Sequence, residues 1–169
     1  PKSIRSMDNG IRRYLIGEKK LPSVTSILDA TKSDEDKAAL ANWIDRTGLK
    51  ESEAIVKAAS SRGSKMHAYL ESFLLGQQNL SFFDDDEQYK IMAKQIIEKG
   101  LINRFEEVWG VECTLYKPDS YSGTCDAVGV YDGCESIIDF KQSNKPKKFE
   151  YIDSWLCLLY TSDAADESV

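Results

Sequence analysis

The chain has 169 residues, of which 41% are hydrophobic and 30% are charged, as is typical of one soluble globular domain. No apolar run approaches the roughly 18 to 20 residues that a membrane-spanning helix needs, and the N-terminus lacks the apolar core of a signal peptide. The net charge of −6 excludes nucleic-acid binding by bulk attraction alone, so any polyanion site must be local or bring its own metal cations.

The cysteine pattern bears on the cellular compartment. None of the four cysteines has C-x-x-C spacing; they are Cys113, Cys125, Cys134 and Cys157. We expect them to be reduced, half-buried strand residues, which favours an intracellular location.

The two ends of the chain bear on the domain boundaries. We expect residues 1–156 to form a single domain that is truncated at both ends. The segment 157–169 resembles a translated adapter from DNA library preparation, so we expect it to be non-native and assign no function beyond Trp155.

Turn signals predict an N-terminal β-ribbon. Asp8-Asn9-Gly10 precedes a strand pattern over 11–16, and residues 17–20 turn the chain again. Pro22-Ser23 then opens a short apolar stretch at helical spacing.

Three amphipathic helix patterns follow. The first has Ser33 as its N-cap and ends at Gly48. The second covers 51–75, with Gly76 as C-cap and Arg62-Gly63 as a potential interruption. The third covers 89–109, after the acidic run 84–87, which we interpret as helix capping and not as a metal site.

From Val111 onward the hydrophobic period changes to two. Strands are predicted over 111–116, 124–131 and 134–141, the last two joined by the hairpin signal Asp132-Gly133. Together the patterns predict an α/β (α+β) protein with a central mixed β-sheet flanked by helices and an N-terminal β-ribbon.

The Asp132-Gly133 hairpin predicts a strand register. If these two residues form the loop, Asp126 lies opposite Asp139 and Thr124 lies opposite Lys141, all on one face. The two carboxylates would then be about 4.5 to 5.5 Å apart at Cβ. Facing like charges destabilise a sheet, so a cation is expected between them.

Two cations are candidates for this position. Lys141 is one, and a divalent metal is the other, with Mg²⁺ or Mn²⁺ favoured by hard oxygen ligands. In a purely structural interpretation, Asp139 pairs with Lys141 at an exposed strand end and Asp126 is solvated. We prefer the metal site.

The single histidine supports that preference. His67 and Glu71 lie four residues apart on the predicted helix, beside the apolar stripe that must face the sheet. Alone, such a pair is more often a surface pair than a ligand set. With the hairpin carboxylates it outlines a mixed histidine and carboxylate site.

Ordered motifs in the chain resemble a known nuclease family. They are Arg62-Gly-x3-His67-x3-Glu71, Gly123-Thr-Cys-Asp126 and Ile138-Asp139-Phe-Lys141. The set resembles the PD-(D/E)xK nuclease superfamily and, within it, the RecB-like exonucleases, closest to the mitochondrial genome maintenance exonucleases and their phage relatives. The resemblance implies a restriction-endonuclease-like core.

The resemblance also implies roles for individual residues. The implied ligands of a catalytic Mg²⁺ or Mn²⁺ are His67, Asp126, Asp139 and the Phe140 carbonyl. Lys141 would position or activate the attacking water, and Glu71 would serve as a further carboxylate near the metal. A phage-encoded protein would act in the cytoplasm of a prokaryotic host, which we favour over a mitochondrial location.

Residues near these motifs are candidate DNA contacts. The polar candidates are Arg62, Lys65, Thr124, Gln142, Ser143, Lys145, Lys147 and Lys148. A solvated surface is an equally good interpretation of the basic clusters. Of the aromatic residues, Tyr69 is expected in the core, whereas Phe82 and Phe83 could pack there or stack on unpaired bases.

These features predict a metal-dependent DNA exonuclease that hydrolyses phosphodiester bonds from single-stranded ends, in DNA replication, recombination or repair. The segment 51–75 motivates the single-strand preference, because over the metal face it would leave too narrow a passage for a duplex. The alternatives are a sequence-specific endonuclease of the same superfamily and a non-catalytic nucleic-acid-binding module. An iron–sulfur nuclease is disfavoured by the cysteine positions.

Overall fold

The computed structural model describes residues 3–77, 87–143 and 152. The described residues confirm the α+β class, with four α-helices and two three-stranded sheets. In chain order the elements are β1 (Ser3–Asp8), β2 (Ile11–Ile16), β3 (Lys19–Pro22), α1 (Val24–Ala30), α2 (Asp34–Thr47), α3 (Leu49–Leu74), α4 (Gln88–Ile96), β4 (Phe105–Lys117), β5 (Tyr121–Tyr131) and β6 (Cys134–Ile138).

The chain divides into two compact units. The sheet unit combines Pro1–Thr31 with Glu106–Val169, and the helical unit is the continuous segment Lys32–Phe105. The sheet unit therefore contains β1 to β3, α1 and nearly all of β4 to β6, whereas α2 to α4 belong to the helical unit.

The N-terminal β-ribbon is confirmed. Its strands lie in the order β1-β2-β3, and Asp8 pairs with Ile11 across a two-residue loop. The loop residues Asn9 and Gly10 have φ of 50° and 78°. Positive φ at both positions defines the type I′ turn that matches the twist of a hairpin, and asparagine and glycine are the residues that adopt it at least cost.

The second sheet has the order β4-β5-β6. Asp132 and Gly133 form the predicted loop between β5 and β6, with φ of 49° and 76° and with Tyr131 paired to Cys134. The described strand pairs within each sheet are antiparallel. Outside the strand pairs, Ser23 and Ser122 form an isolated parallel β-bridge. This bridge places the start of α1 against β5.

Side-chain caps define the first two helices. The hydroxyl of Ser23 accepts a hydrogen bond from the Ser26 amide at 3.0 Å, and that of Ser33 accepts one from the Asp36 amide at 3.1 Å. Each cap satisfies an amide that the first turn leaves without a partner. Gly48, with φ of 88°, ends α2 as the sequence predicts.

The long helix α3 runs without a break through Arg62-Gly63. It ends in a Schellman motif, in which the amides of Gly76 and Gln77 donate to the carbonyls of Phe73 and Ser72. Gly76 adopts the left-handed conformation that this motif requires, with φ of 67°.

The predicted third helix over 89–109 is wrong beyond its first half. Helix α4 ends at Ile96, a five-residue π-helical segment continues to Leu101, and Asn103 has φ of 61°. A left-handed residue cannot continue a right-handed helix, so the chain leaves the helix here and starts β4 at Phe105. The apolar residues of 105–109 belong to a strand and not to the predicted helix.

Each unit has its own buried residues. Those described in the sheet unit are Tyr14, Leu21, Ser23, Val24, Ser122, Cys125, Ala127, Gly129 and Phe140. Those of the helical unit are Ser52, Met66, Tyr69, Leu70, Lys90, Ala93, Ile97 and Leu101. Among the described residues, none of the helices combines the length and the hydropathy needed to cross a membrane.

Candidate metal centre

The β5–β6 hairpin has the predicted register but ends earlier than expected. Its last pair is Ala127 with Ile138, so Asp126 and Asp139 are the next residue on each side. The predicted continuation of the ladder to Thr124 and Lys141 is wrong, because β6 ends at Ile138. Beyond Ile138, a backbone amide of this segment donates its hydrogen bond to a side chain of β5 and not to a backbone carbonyl.

That side chain is Asp126. Its Oδ2 atom accepts a hydrogen bond from the backbone amide of Phe140. A carboxylate that accepts from an amide forms a charge-assisted bond, stronger than a neutral one. This contact links β5 to the segment that carries Asp139 and Lys141, and Phe140 itself is buried.

Asp139 and Lys141 form an ion pair between Oδ2 and Nζ. The Asp139 side chain is only 8% exposed and that of Lys141 is 33% exposed. The pair therefore does not lie at an exposed strand end, as the purely structural interpretation required. A carboxylate this buried needs a compensating cation, and Lys141 supplies one.

Glu112 on β4 is a site residue that sequence reasoning missed. A carboxylate oxygen of Glu112 lies within 4.8 Å of one from Asp126. Two carboxylates at this separation repel each other, and a divalent cation bound by both would remove the repulsion. The arrangement offers hard oxygen donors, as Mg²⁺ and Mn²⁺ prefer.

The backbone at Glu112 is strained. Its φ of 50° lies in the left-handed region, which glutamate rarely adopts, inside an otherwise extended strand. Such a residue costs on the order of 1–3 kcal/mol, and strain of this kind clusters at functional sites. Because the kink breaks the alternation of side chains along β4, a period-two pattern could not indicate where Glu112 lies.

Two thiols flank the carboxylate pair along the chain. Cys113 follows Glu112, and Cys125 precedes Asp126; the Cys125 sulfur lies 3.6 Å from the carbonyl oxygen of Cys113. Burial, with a smaller contribution from Cys113, raises the pKa of Cys125 to about 12. The Cys125 thiol therefore stays protonated near neutral pH.

Close packing surrounds this part of β4. A Cβ atom added at Gly110 would lie 2.3 Å from the sulfur of Cys113. The described cysteines Cys113, Cys125 and Cys134 are free thiols, respectively half-buried, buried and exposed. Cys157 lies outside the described residues.

His67 and Glu71 lie on α3, in the helical unit, one turn apart and both half-buried. They follow Met66 and Leu70, which are fully buried. Their role as metal ligands remains a prediction from the sequence motifs.

The predicted DNA contacts have varied positions. The Thr124 hydroxyl lies 3.1 Å from the Tyr14 hydroxyl, and Arg62 Nη1 donates to Gln88 Oε1 at 3.2 Å. Tyr69 is buried, which confirms its expected place in the core. Gln142 and Ser143 are half-buried in a segment without regular structure. Outside the described residues lie Phe82, Phe83, Asp84 to Asp86, Lys145, Lys147 and Lys148.

Comparison with known proteins indicates a nuclease relationship. No protein-family model matches the chain. It is 29% identical over 137 residues to human mitochondrial genome maintenance exonuclease 1, and 30% identical over 132 residues to the mouse protein of that name. The alignments cover 76% and 75% of this chain but 38% of each relative, so the chain spans less than two fifths of their length. The chain is thus a distant relative of proteins named as exonucleases.

Proposed function

We propose that the chain forms the catalytic part of a metal-dependent DNA exonuclease, which hydrolyses phosphodiester bonds from single-stranded ends in DNA replication, recombination or repair. The observation that carries the proposal is the carboxylate pair Glu112 and Asp126, with Asp126 bound to the Phe140 amide and the Asp139–Lys141 pair following in the chain. The distant relationship to exonucleases gives independent support.

The donor atoms fit Mg²⁺ or Mn²⁺. Glu112 and Asp126 would hold the ion, and the sequence motifs add Asp139, the Phe140 carbonyl and His67 as further ligands. A divalent ion bound by these residues supplies Lewis acidity, lowers the pKa of a bound water and neutralises charge on the phosphate.

Lys141 contributes positive charge that does not depend on the metal. Its ammonium rests on the buried carboxylate of Asp139 and is a third exposed, so it is both held in place and accessible. From this position it can hydrogen-bond the attacking water or stabilise negative charge that develops on the phosphate. Glu71 would act as an additional carboxylate near the metal.

The proposed place of action rests on the sequence resemblance to nucleases that include phage proteins. The named relatives are mitochondrial. For this chain we propose an intracellular site, with the cytoplasm of a prokaryotic host preferred if a phage encodes it.

Digestion of end-labelled DNA tests the proposal. With Mg²⁺ or Mn²⁺, the full chain should shorten linear single-stranded DNA progressively, leave circular single strands intact and act slowly on linear duplex. A chelator and the variant Asp126→Asn should each abolish the activity. Equal cleavage of circular and linear strands would indicate an endonuclease instead, and binding without cleavage would indicate a non-catalytic module.

A further inference from the structure

A cluster of cationic and aromatic side chains lies between α3 and α4, within the helical unit. The ammonium of Lys65 lies 5.2 Å from the centroid of the Tyr89 ring, and that of Lys90 lies 6.0 Å from it. Arg62, one turn before Lys65 on α3, donates to Gln88 at the start of α4. We call Arg62, Lys65, Tyr89 and Lys90 the α3–α4 cationic cluster.

The cluster is positively charged within an acidic protein. Arg62, Lys65 and Lys90 bring three cationic side chains together in a chain whose net charge is −6, with the carboxylate of Glu87 close to the two lysines. A hydrogen bond from Tyr89, and then the charges of Lys65 and Lys90, hold the pKa of Glu87 below its ordinary value. Glu87 is therefore ionised near neutral pH and keeps the Tyr89 ring in place through its hydroxyl.

Helix packing does not account for this cluster. The buried apolar residues of this unit are others, among them Met66, Leu70, Ala93 and Ile97. Lys65 is exposed, so its ammonium is accessible from solvent, and Tyr89 is half-buried. Lys90 differs, because it is only 7% exposed; its contact with the Tyr89 ring is a buried one.

The chemistry of the cluster matches a nucleic-acid strand. A lysine over an aromatic ring is held by a cation–π interaction, which orders its flexible side chain before a ligand binds. A guanidinium and an ammonium one helical turn apart can contact phosphate oxygens of one strand, and contacts of this kind fix a strand without reading its bases.

We propose that the α3–α4 cationic cluster binds the sugar-phosphate backbone of single-stranded DNA, with Lys65 and Arg62 contacting phosphates and Tyr89 positioning the Lys65 ammonium. This inference rests on the proposed nuclease function and adds to it a strand-binding surface made of residues other than the carboxylates. Arg62 and Lys65 were candidates from sequence; Tyr89 and Lys90 are assigned by the structure.

Fluorescence anisotropy with labelled oligothymidylate tests the proposal, using the full chain in EDTA so that hydrolysis plays no part. Lys65→Gln should weaken binding about tenfold, as expected for loss of a charged hydrogen bond. It should also reduce the slope of log affinity against log salt by about 0.7, the value for one phosphate contact on a single strand. Lys57→Gln, an exposed lysine earlier on α3, is the matched control and should change neither quantity by as much.

Substitutions of Tyr89 separate positioning from folding. Tyr89→Phe keeps the ring under Lys65 and should retain most of the affinity, whereas Tyr89→Leu should approach the loss seen in Lys65→Gln. Thermal unfolding of each variant identifies any loss due to misfolding. Unchanged affinity in Lys65→Gln, equal losses in Lys57→Gln, or no binding by the unaltered chain would each overturn the proposal. Failure of the metal centre alone would abolish cleavage and leave these affinities intact.

Discussion

The hydroxyl of Tyr14 lies 3.1 Å from that of Thr124, and this contact joins the N-terminal ribbon to the strand that carries Asp126. A second contact of the same kind joins Ser3 to Thr114 at 2.6 Å. Thr124 precedes Asp126 by two residues, and Thr114 follows Glu112 by two. The N-terminal sheet is thus bonded to both strands that supply the carboxylate pair.

Removing the Tyr14 hydroxyl should loosen this attachment. We expect Tyr14→Phe to lower the free energy of unfolding by about 0.5–1.5 kcal/mol, because the Thr124 hydroxyl loses its partner. Mn²⁺ affinity should also fall, since the strand beside Asp126 is less well held. Urea denaturation and metal titration measure the two effects. Tyr116→Phe makes the same chemical change at a partly exposed position of β4; equal effects from the two variants would contradict the expectation.

Metal binding should stabilise the folded chain. An ion that binds only the folded state adds about 2.7 kcal/mol at a concentration one hundred times its dissociation constant. We therefore expect Mn²⁺ or Mg²⁺ to raise the melting temperature, and Asp126→Asn or Glu112→Gln to abolish the rise. Glu106→Gln, an exposed glutamate on the same strand, should retain it. Loss of the rise in Glu106→Gln would place the ion elsewhere.

The Asp139–Lys141 pair should behave as a coupled unit. Without metal, Lys141→Met leaves the nearly buried Asp139 carboxylate without this cation and should destabilise the chain by on the order of 1–3 kcal/mol, less than for a fully buried pair because Lys141 is partly exposed. The double variant Asp139→Asn with Lys141→Met should be less destabilised, since no charge remains. A thermodynamic cycle of denaturation midpoints measures the coupling; strictly additive effects would argue against it.

A side chain at Gly110 should destabilise the chain while Cys113 keeps its sulfur. The added methyl of Gly110→Ala would collide with that sulfur, and overpacking of this kind costs about 1–3 kcal/mol. Adding Cys113→Ala to Gly110→Ala should recover most of the loss. Gly100→Ala is the control, because its methyl meets nothing within 4 Å. Thermal melts of the three variants and the unaltered chain decide the matter, and an unaffected Gly110→Ala would show that the Cys113 side chain moves aside freely.

Cys125 should resist alkylation in the folded state. Its pKa of about 12 lies above the ordinary thiol value of 9.0, so the reactive thiolate is scarce at mildly alkaline pH. Because the folded pKa is the higher one, the contribution of Cys125 to stability is complete below about pH 9 and is lost as pH rises toward 12. Iodoacetamide labelling followed by peptide mass spectrometry should mark the exposed Cys134 first. Comparable labelling of Cys125 without denaturant would contradict this.

Short-range signals in the sequence predict much of the fold. Asn9-Gly10 and Asp132-Gly133 each specify a two-residue turn, because few other residues accept positive φ twice in succession. The register that places Asp126 and Asp139 at the same end of their hairpin follows from the second turn alone. Ser33 and Gly48 likewise delimit α2 through local hydrogen bonding and backbone conformation.

Structural features that depend on contacts with distant parts of the chain could not be predicted from the sequence. Asn103 ends the helical region by adopting a left-handed conformation that asparagine accepts but does not require. Glu112 joins Asp126 only because β4 is kinked at that residue. The shortened β6 depends on a hydrogen bond between Asp126 and Phe140, and no periodic pattern encodes a bond between a side chain and a distant amide.

The division of the sheet unit into two stretches of chain has a consequence for synthesis on the ribosome. Ser3 and Tyr14 are translated early, but Thr114 and Thr124 follow only after the whole of Lys32–Phe105 has been made. The whole of the continuous helical unit is therefore made before the partner strands of the N-terminal ribbon. Joining the ribbon to β4 and β5 closes a long loop, and the entropy cost of that closure must be met before the sheet contacts form. Slow codons within Lys32–Phe105 would therefore prolong the time for which the ribbon, without its partner strands, is exposed to proteases and chaperones.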